Sequence, residues 1–301
     1  MAQTDSVTAV IDQTSDAAFR TWIQEIITAF GTTLTLTQTA DTGQINTATV
    51  TRPAVANTSA GFVIFRFNDT LQATSPIFIK LEFGTGTTAT TSPNMWITVG
   101  TATNGAGTLT GTTTTRFQIV GGVAASNVTN YVSRYMYNST QGMVWMSWKQ
   151  GAIAGGTLGG FKLERANNLT GAAIGDAYTL ITQGAATGPS AVGGSAQCYS
   201  YLTGALVTLG NGTVFAADPF AQTTTLFSGN IQDFPVWQAT PVLGVSANHA
   251  ICLAAEIPTG NTVVEALVGS TTHTFISCPP FYGATAPAGI TGGNHLLLWD
   301  P

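Results

Sequence analysis

Residues 61–67, GFVIFRF, and residues 76–83, PIFIKLEF, decide the fold class. Both are dense in aromatic and β-branched residues, and in the second Ile79, Leu81 and Phe83 alternate with Lys80 and Glu82. A period of two places one set on a buried sheet face and the other opposite it. Asn68 and Asp69 supply a turn signal between the two runs, which predicts the start of an antiparallel meander or sandwich.

Downstream, the same pattern predicts strands at 95–99, 115–120, 130–137 and 142–149. The last two are joined by Asn138, Ser139, Thr140 and Gln141 as a hairpin. Residues 84–115 are mostly Gly, Thr, Ala, Asn and Ser around the short strand near Trp96, and read as loops, mobile or held by neighbours. Gly151 to Gly160 reads as a connector, and strands follow at 161–165 and 177–182. Residues 183–196, QGAATGPSAVGGSA, carry no charge and little apolar mass, and mark the expected domain boundary. Beyond it, strands are expected at 198–209, 213–216, 242–245, 250–255, 262–268 and 273–278, punctuated by Pro219, Pro235, Pro241, Pro258, Pro279, Pro280 and Pro287.

Upstream, one helix is legible. Thr14, Ser15 and Asp16 are N-cap candidates, and Phe19, Trp22, Ile23, Ile26, Ile27 and Phe30 recur at three- and four-residue spacing before Gly31. Asp16 and Arg20, four apart, can pair on the polar face. The apolar stripe must pack on something: either the chain's own β domain, or a symmetry mate or other partner, in which case these six residues form an interface. The expected architecture is therefore mainly β, with antiparallel sandwich or barrel-like domains and one N-terminal amphipathic helix. The segments are 1–45 (helix and connector, for anchoring or oligomerisation), 46–190 (β domain) and 191–301 (C-terminal β domain).

Composition limits the function. Charged residues make up 8% of the 301 and hydrophobic residues 44%, where ordinary soluble domains carry about 25% charged. Apolar content of this size excludes disorder. All nine basic residues lie at or before Arg165, against eight acids, whereas residues 166–301 hold six acids and no base. Scarce charge points to surface covered by neighbouring subunits, since interface cores are depleted in charge; the alternative is a Thr, Asn and Ser surface that is polar without charge. A pI near 4.9 with no basic run argues against nucleic acid. No stretch of eighteen apolar residues suggests membrane insertion, and the polar, acidic N-terminus does not resemble a signal peptide.

The chemical inventory is thin. Cys198, Cys252 and Cys278 are odd in number and far apart, and read as buried free thiols. His249, His273 and His295 show no metal-binding spacing, so no metal or other cofactor is expected. No serine elbow, P-loop or dinucleotide fingerprint occurs. Asp218, Asp233, Glu256 and Glu265 are the acids available to a glycosidase in the C-terminal part, and Asp233 with Trp237 could hold a sugar ring without cleaving it. No catalytic residue is assigned, and an enzyme is not expected.

Three stretches carry a resemblance: 38–46 (QTADTGQIN), 80–111 (KLEFGTGTTATTSPNMWITVGTATNGAGTLTG) and 160–180 (GFKLERANNLTGAAIGDAYTL). They resemble virion proteins of tailed bacteriophages, in which a helix leads into β domains and a Gly-Thr loop precedes an ITVGT-type strand. The third stretch departs from that pattern, with Ala166, Asn167 and Asn168 where a threonine and an acid are expected. The resemblance covers about residues 14–182 and implies a structural role in a particle assembled in the host cytoplasm. Tail, fibre or baseplate is the first reading, and capsid decoration or collar the second. A carbohydrate-binding receptor module, or a polysaccharide depolymerase, is the reading of a different class. The implied partners are other virion proteins, copies of the chain itself and, in the receptor reading, a host surface glycan.

Overall fold

The computed structural model describes residues 6–11, 13–31, 34–37, 41–86, 93–120, 131–138, 142–150, 158–168, 172–186, 194–209, 231–233, 249–252, 263–268, 271–278 and 294–298. They form three antiparallel sheets and one N-terminal α-helix, the mainly β class that the alternating runs predict. The first sheet runs in the order β1 (Ser6–Ile11), β8 (Tyr131–Asn138), β9 (Met143–Gln150), β10 (Leu158–Asn167), β11 (Ala173–Ala186), β12 (Gly194–Ser200) and β13 (Leu206–Leu209). The second runs β2 (Thr35–Leu36), β3 (Ser59–Arg66), β4 (Phe78–Thr85), β5 (Pro93–Thr103) and β6 (Leu109–Thr113), with β7 (Phe117–Val120) also paired to β5. The third contains β14 (Ile231–Asp233), β15 (His249–Cys252), β16 (Val263–Val268), β17 (Thr271–Cys278) and β18 (Asn294–Leu298), in the order β14-β15-β18-β17-β16.

Register turns the apolar runs into a core. Phe65, Ile79 and Val99 lie opposite one another across β3, β4 and β5, as do Val63, Leu81 and Ile97. All six are buried. In the first sheet Phe161 pairs with Met146, and Leu163 with Val144 and Leu180, in rows of the same kind. Between these two faces lies α1 (Asp16–Gly31). Trp22 meets Phe83 edge-on at 5.6 Å between ring centroids, while Phe30 touches Phe65 of the second sheet at 5.8 Å and Phe161 of the first at 6.0 Å. The helix is thus a wedge whose apolar stripe contributes to both sheets.

Its start follows the cap chemistry. Ser15 Oγ accepts from the Ala18 N–H at 3.1 Å, satisfying one of the first-turn donors. Asp16, however, pairs with Arg52 rather than Arg20: Arg52 Nε and the Arg52 N–H reach its Oδ1 at 3.0 and 3.1 Å. Arg20 instead donates through Nε to the Val50 carbonyl at 2.6 Å. Helix-neighbour spacing permitted the first pairing, but the returning segment near residue 50 offers both side chains better-placed partners.

The expected division at 1–45, 46–190 and 191–301 does not match the sheets. β1 comes from the first segment, β8 to β11 from the second, and β12 and β13 from the third, yet they form one sheet. β11 and β12 pair continuously from Ala177↔Ser200 to Gln183↔Gly194, through the presumed boundary. Backbone hydrogen bonds need no side chain, so a Gly-Ala-Ser strand pairs normally while looking like a linker. Residues 84–115 are also more regular than their composition suggests, because β5 and β6 occupy much of them. The single run expected at 198–209 is two strands, reversed at a turn where Gly204 has φ +68°. The strands expected at 213–216 and 242–245 lie outside the described residues.

Candidate functional site: the buried polar groups of strand β10

Strand β10, LGGFKLERAN, carries charge where a buried strand ordinarily carries none. Its alternation puts Phe161, Leu163 and Arg165 toward the helix and the second sheet, and Lys162 and Glu164 on the opposite face. All three charged side chains are buried.

Arg165 joins the two sheets. Its Nε and Nη2 donate to Asp69 Oδ2 and Oδ1 at 2.7 and 3.0 Å, a fork-on-fork pair, and its Nη1 donates to the Ser75 carbonyl at 2.7 Å. The guanidinium also stands over the Phe67 ring at 5.3 Å. Asp69 sits just ahead of the 3₁₀ turn Thr70–Ala73, but its carboxylate makes no cap bond. The turn signal read at Asn68 and Asp69 is therefore a junction whose acid is committed to the other sheet. Four further bonds cross the same seam. Ser75 Oγ donates to the Gly175 carbonyl and the Tyr201 hydroxyl to the Pro76 carbonyl, at 2.7 and 2.5 Å. The Thr115 N–H and the Gln197 side-chain amide exchange bonds with each other's residue at 2.9 and 3.2 Å.

Beside Arg165, Tyr178, Tyr199 and Tyr201 form an aromatic cluster with centroid spacings of 5.5 Å for the first two and 4.9 Å for the last two. Burial raises the Tyr178 and Tyr201 phenols well above the ordinary range, with the nearby Arg165 opposing the rise at Tyr201. Burial also pushes up the Cys198 thiol, which keeps it from the reactive thiolate form.

On the opposite face Lys162 Nζ meets Glu164 Oε2 at 2.6 Å. Register shifts between Arg165 and Asn167, and at this bulge the Asn167 side chain turns back along the strand. Its Nδ2 donates to Glu164 Oε1 at 3.1 Å and to the Arg165 carbonyl at 2.9 Å. Because both partners are acceptors, the amide orientation is determined: nitrogen toward Glu164, oxygen away. That oxygen, Asn167 Oδ1, is buried without a hydrogen-bond partner. One carboxylate thus holds an amine on one oxygen and an amide nitrogen on the other.

No protein-family model, curated protein or solved structure matches this chain. The chemistry of the site rests on its own groups. Arg165 and Asp69 are locked together by two parallel hydrogen bonds with both side chains buried, a geometry that makes the pair a clamp between the sheets. Tyr178, Tyr201 and Cys198 are kept neutral by burial and do not exchange protons near neutrality. Among the described residues, no three His, Cys, Asp or Glu side chains stand together in a way that could hold a metal ion. Among the same residues, no helix is long and apolar enough to cross a membrane.

The residues singled out by sequence fall elsewhere. Phe19, Trp22, Ile23, Ile26 and Phe30 are buried in the chain's own core, and Ile27 packs against it. Their partner is the chain itself, so the interface expectation for this stripe is corrected in favour of its intramolecular alternative. Asp233 ends β14, opposite Ala250, and Trp237, its expected companion, lies outside the described residues. Asp218 and Glu256 also lie outside them. The three histidines fall on β15, β17 and β18. The β10 groups were visible in sequence as KLER, three charges in four positions after a phenylalanine, but that pattern equally describes a solvated strand face.

Proposed function

We propose that the chain is a structural component of a tailed-bacteriophage virion, acting by packing against copies of itself and against other virion proteins. A tail, fibre or baseplate position is the first reading; capsid decoration or a collar suits the same composition. The observation that carries this is the scarcity of charge, 8% overall with no base after Arg165. Intramolecular pairing deepens that scarcity. Arg20, Arg52, Lys80, Arg116, Lys162 and Arg165 are all engaged with partners inside the chain. Among the described residues, few basic side chains are left over to break up contacts between copies. The buried clamp and the cross-sheet bonds suit a part that bears load rather than one that turns over substrate.

Static light scattering of the purified chain tests the proposal. A closed symmetric oligomer is expected. A well-behaved monomer at micromolar concentration would count decisively against a role that depends on self-packing.

A further inference from the structure

The grouping of Lys162, Glu164 and Asn167 goes beyond a packing role. A buried lysine–glutamate pair is costly to keep, because desolvation offsets much of the attraction between the charges. Here the pair is joined by a primary amide whose nitrogen rests on the same carboxylate and whose carbonyl oxygen has no partner. Amine, carboxylate and carboxamide held together away from water are the reactants and the proton carrier for amide exchange.

We propose that Lys162 and Asn167 become joined by an intramolecular amide bond, with Glu164 carrying the proton. Glu164 first takes a proton from the Lys162 ammonium through the contact at 2.6 Å. The neutral Nζ attacks Asn167 Cγ, forming the new C–N bond. The Cγ–Nδ2 bond breaks as Glu164 delivers its proton to Nδ2, which it already contacts at 3.1 Å, and it receives the remaining proton from Nζ. Ammonia leaves and Glu164 ends as the neutral acid. Charge and atoms balance without an oxidant or co-reactant, and two buried charges are removed. That removal supplies a driving force, and the escape of ammonia makes the step irreversible. No donor touches Asn167 Oδ1 in advance to stabilise the charge that develops there. The bond therefore forms slowly and once per chain, as a maturation step.

The test is the intact mass of the denatured, fully aged chain, followed by peptide mapping. The expected mass is below the sequence value by one ammonia. Trypsin should then spare Lys162, so that residues 150–165 remain attached to residues 166–301 through the Lys162–Asn167 branch. Lys162→Arg keeps the charge but cannot form the bond, and should restore the full mass. Glu164→Gln should slow the loss by at least about 100-fold, the usual range for a positioned proton carrier. A full-mass wild-type chain overturns the proposal without any variant having to fold. Loss that persists in Lys162→Arg also overturns it, since cyclisation at Asn104–Gly105 or Asn211–Gly212 sheds ammonia without a lysine. Unslowed loss in Glu164→Gln overturns the role given to the carboxylate.

Discussion

Arg165 illustrates how much one side chain carries when it is buried and fully partnered. Removing one member of a buried ion pair leaves the other charge uncompensated, which costs about 3–5 kcal/mol. Arg165→Leu and Asp69→Asn are each expected to fall in that range by equilibrium denaturation, and the double variant to cost less than the two singles together. The neighbouring phenols separate hydrogen bonding from burial. The Tyr201 hydroxyl donates to the Pro76 carbonyl, whereas the Tyr178 hydroxyl is buried without a partner. Tyr201→Phe should therefore lose about 1 kcal/mol, and Tyr178→Phe should be neutral or stabilising. Equal losses at both positions would contradict this difference. Gly142 has the same seam as its neighbour. Its φ is +56°, and an added Cβ would lie 2.8 Å from Arg165 Cδ, so the glycine lets the backbone come close to the clamp.

Among the elements, α1 joins sequence-legible packing to an ion pair that spacing misassigned. The Arg52 backbone N–H and side chain hold the Asp16 carboxyl below its ordinary value of 3.8. A depressed folded-state pKa adds stability that is fully present above the ordinary value and is lost as the pH falls through the folded one. The stability deficit of Asp16→Asn should accordingly be constant near neutrality and vanish in acid below 3.8. Added salt should shrink it as well, since the Asp16 side chain is 41% exposed. A deficit that grows in acid would reverse the sign of this argument. The helix and the strands beginning with GFVIFRF and PIFIKLEF were legible because their periodicity is written in large apolar side chains. β6 and the Gly194–Gln197 start of β12 were not, because their side chains are mostly small or polar and their pairing rests on backbone hydrogen bonds. Arg165, Lys162 and Glu164 escaped for a different reason: sequence gives the face on which a charge sits but not whether anything covers that face.

Over the whole molecule, charge and connectivity divide differently. The last basic residue is Arg165, yet the sheet that holds it continues to Leu209. Digestion of the unfolded chain with trypsin should leave residues 166–301 uncut, and any cleavage inside them would indicate an enzyme of broader specificity. Connectivity has its own effect. β1 pairs with β8, Ser6 lying opposite Tyr135, so all of the second sheet is made between two neighbouring strands of the first. During synthesis the second sheet can close early from contacts local in sequence, while β1 waits for a partner that has not left the ribosome. Closing so long a loop is entropically late, and non-local pairing of this kind makes folding slow. Completion of the first sheet then acts as a clock: the interval before β8 arrives is when an unpaired β1 edge is open to another chain's strand.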